Sequence, residues 1–141
     1  MEIVRITQSV YTEIMNTIGN YAPETGGALG EKNGVICRYF FDEKAIGNKN
    51  SYSPTTDSIN EVIDEWEKDE IRFAGIIHSH PGTMKRLSYA DVSYAQCLLK
   101  QNETESILFP IVVHEVEIRI CMYKVLLGCD VKECGIKLMD A

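Results

Sequence analysis

Two of the chain's three histidines stand one residue apart in Gly75-Ile76-Ile77-His78-Ser79-His80-Pro81-Gly82, and Asp91 follows in Ser88-Tyr89-Ala90-Asp91. Residues i and i+2 of a strand point to the same face, so the imidazoles of His78 and His80 can converge on one ion. Seven residues separate His80 from Ser88, where a helix can begin with Asp91 in its first turn. A carboxylate there supplies a third ligand. Two histidines and one carboxylate suit a tetrahedral Zn²⁺, one per chain, with a fourth position open to water.

Ser88-x-x-Asp91 also has the spacing of a helix capping box in its wider Ser/Thr-x-x-Asp/Glu form. Taken alone, that reading would prevail. The His-x-His ahead of it favours the metal, because two imidazoles at the end of a buried strand would otherwise need separate partners. Both can hold, with Ser88 at the cap. His114 has no ligand-spaced neighbour and reads as structural. Cys129 and Cys134 lack the second pair that a zinc site needs. The five cysteines, an odd number, suit reduced thiols.

The elements that must position these residues alternate. Glu2 to Thr7 reads as a strand, and Val10, Ile14, Thr17 and Ile18 fall at helical spacing before Gly19-Asn20. Glu24 to Gly30, the turn Lys32-Asn33-Gly34 and the run Val35 to Phe41 read as a hairpin. A polar stretch from Asp42 to Ser53 leads to a helix from about Asp57 to Lys68, with Ile59, Val62, Ile63 and Trp66 on one face. Arg72 to His78 is a short apolar strand, and a helix runs from Ser88 to about Gln101. Ile107 to Val113, Val116 to Leu126 and Val131 to Leu138 read as three terminal strands, the first two a hairpin. The expected fold class is α/β (α+β-like), a mixed sheet flanked by helices.

A length of 141 residues, without repeats or a linker, predicts one domain spanning 1–141. A formal net charge of −7 with scattered basic residues argues against nucleic acid and anionic membrane as partners. Met1 to Arg5 lacks the layout of a signal peptide and no apolar run reaches membrane-spanning length, so the expected location is cytoplasmic. Oligomeric state is not encoded in any visible pattern.

His78-Ser79-His80-Pro81, the seven-residue gap and Ser88-x-x-Asp91 resemble the JAMM (JAB1/MPN/Mov34) metalloprotease motif, in its compact prokaryotic form. The order of elements resembles that family along the whole chain. The resemblance implies a JAB1/MPN-type mixed sheet with a zinc-deaminase-like outline, and zinc held by His78, His80 and Asp91. It implies a catalytic glutamate before a glycine-rich strand, matched by Glu24 in Glu24-Thr25-Gly26-Gly27, with Glu31 the nearest competitor. Glu24 would be the general base and Ser88 the donor to the oxyanion. The implied reaction is hydrolysis of a peptide or isopeptide bond at the C-terminal tail of a ubiquitin-like or sulfur-carrier-like protein, the tail lying along a strand edge near the zinc.

Other readings compete. An inert MPN scaffold serving as an interaction module would usually lack some ligands, and all are present here. Zinc deaminases use His-x-Glu with Pro-Cys-x-x-Cys, and neither occurs. A serine hydrolase using Ser79 or Ser88 lacks Gly-x-Ser-x-Gly.

Overall fold

The computed structural model describes residues 1–19, 25–45, 52–80, 85–128 and 130–140. In chain order the elements are β1 (Ile3–Thr7), α1 (Gln8–Asn16), β2 (Gly26–Lys32), β3 (Val35–Phe41), α2 (Thr56–Lys68), β4 (Arg72–His80), α3 (Tyr89–Gln101), β5 (Ser106–Leu108), β6 (Ile111–His114), β7 (Ile118–Leu126) and β8 (Val131–Met139). A single 3-10 turn at Glu43–Ala45 follows β3. The eight strands form one mixed sheet in the order β2-β3-β1-β8-β7-β5-β4-β6, with further β2–β4 and β7–β6 pairings. The β2–β4 pairing curls the sheet back on itself.

Each face of the sheet has its own apolar layer. Val10 and Ile14 of α1 pack with Ile6, Leu29, Ile77, Val112 and Met122. On the other face Ile59 and Trp66 of α2 and Ala95 and Leu99 of α3 pack with Ile76, Phe109 and Val125. Ile76 and Ile77 are both buried, on opposite faces, as expected of a strand covered by helices on both sides. The helical spacing of Ile59, Val62, Ile63 and Trp66 is the face that α2 buries.

Two expectations need correction. The run Ile107 to Val113 is two strands, because Pro110 has no N–H to donate. Phe109 N–H instead bonds Tyr123 O at 2.8 Å, and Pro110 O accepts from His78 N–H at 3.3 Å. The break hands pairing over from β5 to β6 at the level of His78. The first helix ends at Asn16, with Thr17 as its C-cap, so Ile18 is buried beyond it. β4 runs to His80, where Ser79 and His80 pair with Val112 and Val113, so both histidines lie on the strand end as expected.

Gly75 of β4 sits opposite Leu108 of β5, and a Cβ on it would run into the Leu108 carbonyl oxygen. Backbone cannot retreat there without breaking the pairing. Gly75→Ala is therefore expected to destabilise the fold by about 2 kcal/mol or more, read as a lower denaturation midpoint. An unchanged midpoint would mean that β4 and β5 are not this close.

Candidate metal centre

The register of β4 makes the site. His78 and His80 lie on the face that carries α2 and α3, while Ser79 points to the other. His78 pairs with Gly26 of β2 on one side and Ile111 of β6 on the other, so the end of the strand is fixed from both flanks. Each histidine is 5% exposed. Phe109 packs edge-on against the His78 ring, with centroids 5.3 Å apart.

Asp91 reaches the pair from α3. Ser88 is the N-cap: its Oγ accepts from Asp91 N–H at 3.1 Å, and its own N–H donates to Asp91 Oδ2 at 2.9 Å. The capping box is complete. The same Asp91 carboxylate puts Oδ1 3.1 Å from His78 Nε2 and Oδ2 2.9 Å from His80 Nε2. The two Nε2 atoms are 2.9 Å apart. The carboxylate that completes the cap is thus the one that faces both imidazoles, because the box uses only part of its lone-pair capacity.

The loop leading to Ser88 is tied to the β6–β7 hairpin. Tyr123 Oη donates to the Lys85 carbonyl. Lys85 Nζ lies 3.0 Å from Glu115 Oε1, and Leu87 packs on the buried cluster of Ile111, Val113, Cys121 and Tyr123. These contacts set where α3 starts, and hence where Asp91 points.

Two imidazole nitrogens and a carboxylate within about 3 Å of one another crowd lone pairs around one point. A cation resolves that crowding, whether proton or metal. Ligand atoms arranged tetrahedrally about zinc at 2.0–2.1 Å are roughly 3.3 Å apart. The observed 2.9–3.1 Å needs only a few tenths of an ångström of expansion. The donor set therefore fits zinc. His78 Nδ1 and His80 Nδ1 are buried with no hydrogen-bond partner among the described residues, which thus supply none of the acceptors that usually orient metal-binding histidines.

Burial alone would raise the Asp91 pKa, but the hydrogen bonds from His78 and His80 outweigh it, with the Ser88 N–H helping, and hold the carboxyl well below its ordinary range. A depressed folded-state value makes a contribution to stability that is present above the unfolded value near 3.9 and is lost as pH falls through the folded value. In metal-free protein, Asp91→Asn should flatten the fall in stability below about pH 4, measured by denaturant melts. The wild-type slope in the variant would mean that the imidazoles do not hold this carboxylate.

The other candidates separate cleanly. Glu31 is ion-paired with Arg72 at 2.7 Å, and these two residues are opposite one another in the β2–β4 register. That is six residues along β4 from His78, roughly 20 Å away, which removes Glu31 as a competitor for the base. Glu24 itself lies outside the described residues, as does Cys129. Thr25, the next residue after Glu24, donates its N–H to Ser79 Oγ at 3.0 Å and accepts from Ser79 N–H at 2.9 Å. Ser79 is fully buried in those bonds, on the face away from the histidine pair, and is no candidate nucleophile. His114 follows Val113, the neighbour of His80, so its ring faces the opposite side of the sheet. Both edges of β4 at His78 are taken by β2 and β6. Sequence reasoning also passed over Asp42 and Tyr52, which lie in the stretch read only as polar.

Among the described residues, His78, His80 and Asp91 form the one group of three or more His, Cys, Asp and Glu side chains placed to hold a metal. No described helix is long and apolar enough to cross a membrane.

No family model matches the chain, and no curated protein matches it in sequence. Solved structures do match. A Desulfitobacterium hafniense protein solved in solution superposes with a TM-score of 0.72 at 18% identity, covering 99% of this chain and 94% of the other. A Salinibacter ruber protein, also solved in solution, gives 0.64 at 16% identity over 96% and 91%. A crystal structure of a JAB1/MPN domain protein from Archaeoglobus fulgidus gives 0.54 at 12% identity over 96% and 98%. The fold resembles the JAB1/MPN domain, a mixed α/β arrangement of helices around an eight-stranded sheet.

Proposed function

We propose that this chain, with its JAB1/MPN-like fold, is a zinc-dependent peptidase or isopeptidase that works in the cytoplasm. The observation that carries the proposal is the convergence of His78 Nε2, His80 Nε2 and the Asp91 carboxylate at 2.9–3.1 Å. Zinc bound there supplies Lewis acidity, bringing the pKa of a water toward neutrality and polarising a carbonyl. The remaining work belongs to the chain.

Glu24 takes the proton of the attacking water and passes it to the leaving amine. Its place just before Thr25, which is bonded to the residue between the two histidines, supports that role. Ser88 Oγ uses a lone pair to accept from Asp91 N–H, which leaves its own proton free for the oxyanion that forms on the substrate carbonyl. His78, His80 and Asp91 hold the metal, with Asp91 kept ionised by its neighbours.

The substrate is the C-terminal tail of a ubiquitin-like or sulfur-carrier-like protein, entering over the ends of β4 and α3 because the flanks of β4 are occupied. The inert-scaffold reading is disfavoured by the complete ligand set and by the favourable Ser88 geometry. The test is a panel of ubiquitin-like and sulfur-carrier-like proteins with Gly-Gly tails extended by a peptide or an isopeptide-linked lysine. The expected result is cleavage after the Gly-Gly that stops with a chelator and returns with zinc. Cleavage that persists in chelator, or none with zinc restored across the panel, would contradict the proposal.

A further inference from the structure

We propose that Asp42 and Tyr52 form a clamp that fixes the His78 imidazole, with Tyr52 a positioning residue for the metal centre; this rests on His78 being a metal ligand. Asp42 is fully buried just after β3. Its N–H donates to Gly26 O at 2.9 Å, tying it to the first residue of β2, which is also the register partner of His78. Its carboxylate Oδ2 accepts from Tyr52 Oη at 2.9 Å and from Thr55 N–H at 2.7 Å. Oδ1 is buried without a partner among the described residues. Burying a carboxylate with half of its acceptor capacity unused costs stability. What the two bonds fix is the position of Tyr52 and the start of α2.

The Tyr52 ring lies 23° from parallel to His78, with centroids 6.5 Å apart. Gly26 makes the room: a Cβ there would come within 2.6 Å of the Tyr52 ring. Phe109 stands against His78 at 71°. The imidazole is therefore bounded by two aromatic rings. Metal-bound histidines are usually oriented by a hydrogen bond from the second ring nitrogen, and His78 Nδ1 has none among the described residues. Packing takes over that task, and Asp42 holds the packing ring in place.

The experiment is zinc affinity by chelator competition, with the Co²⁺ absorption spectrum, on the full chain and two variants well below their melting temperatures. Tyr52→Leu should weaken zinc about 10–100-fold and shift the Co²⁺ bands. Tyr52→Phe keeps the ring but loses the Asp42 bond, and should weaken zinc by a smaller factor, about 3–10-fold. Wild-type affinity and spectrum in both variants, with only a lower melting temperature, would overturn the clamp and leave the metal site standing. Should Tyr52→Leu fail to fold, wild-type affinity in Tyr52→Phe alone overturns it. Wild-type protein that takes up no zinc would instead overturn the metal reading, and the clamp with it.

Discussion

Glu24→Gln should keep about one zinc per chain while its turnover falls about 10²–10⁴-fold. The amide is nearly isosteric with the carboxylate but cannot accept a proton, so the change removes base chemistry and little else. Zinc should stay because the three side chains proposed to hold it lie on β4 and α3, and Glu24 belongs to neither. Glu31→Gln is the matched control. Glu31 is bonded to Arg72 at the far end of β2, and its replacement should leave turnover unchanged. Near-normal turnover in Glu24→Gln, with zinc retained, would show that another group is the base.

His78→Ala and His80→Ala should each lose both metal and hydrolysis. His80 Nε2 sits 2.9 Å from His78 Nε2 and 2.9 Å from Asp91 Oδ2, so deleting it leaves two ligand groups where the metal needs three. The drop in turnover is expected to exceed that of Glu24→Gln, because no activated water remains. Each variant also leaves a cavity beside a carboxylate that has lost a partner, costing about 1–3 kcal/mol, so activity is compared on protein verified as folded. His114→Ala separates site from bulk effects: its ring is on the other face of the sheet, and zinc and turnover should stay. Full activity in folded His80→Ala would rule out the metal centre.

Much of the centre was legible because its geometry follows from local periodicity. A period of two puts His78 and His80 on one face, and a helix start puts Asp91 within a turn of Ser88. Cap and ligand were compatible readings in the sequence, and in the structure one carboxylate caps α3 while also facing both imidazoles. Other features depend on long-range pairing. The apolar run around Phe109-Pro110 hid a strand break, although the proline was a visible signal for it. The occupied flanks of β4 come from the curl of the sheet, which no short segment encodes. Asp42 was legible only as the start of a polar stretch, since nothing local tells a buried aspartate from an exposed one. Glu24 rests on resemblance alone, whereas the Glu31–Arg72 pair excludes its competitor.

The most direct test of the metal centre is elemental analysis of the purified chain beside Asp91→Ala, before and after zinc is supplied. The variant loses its half of the capping box and its contacts with both imidazoles, so metal is compared on protein verified as folded. About one zinc per chain in the wild type, lost in Asp91→Ala, is the predicted result. No zinc in either protein after loading would contradict it, leaving Asp91 as a helix cap and the fold as a scaffold.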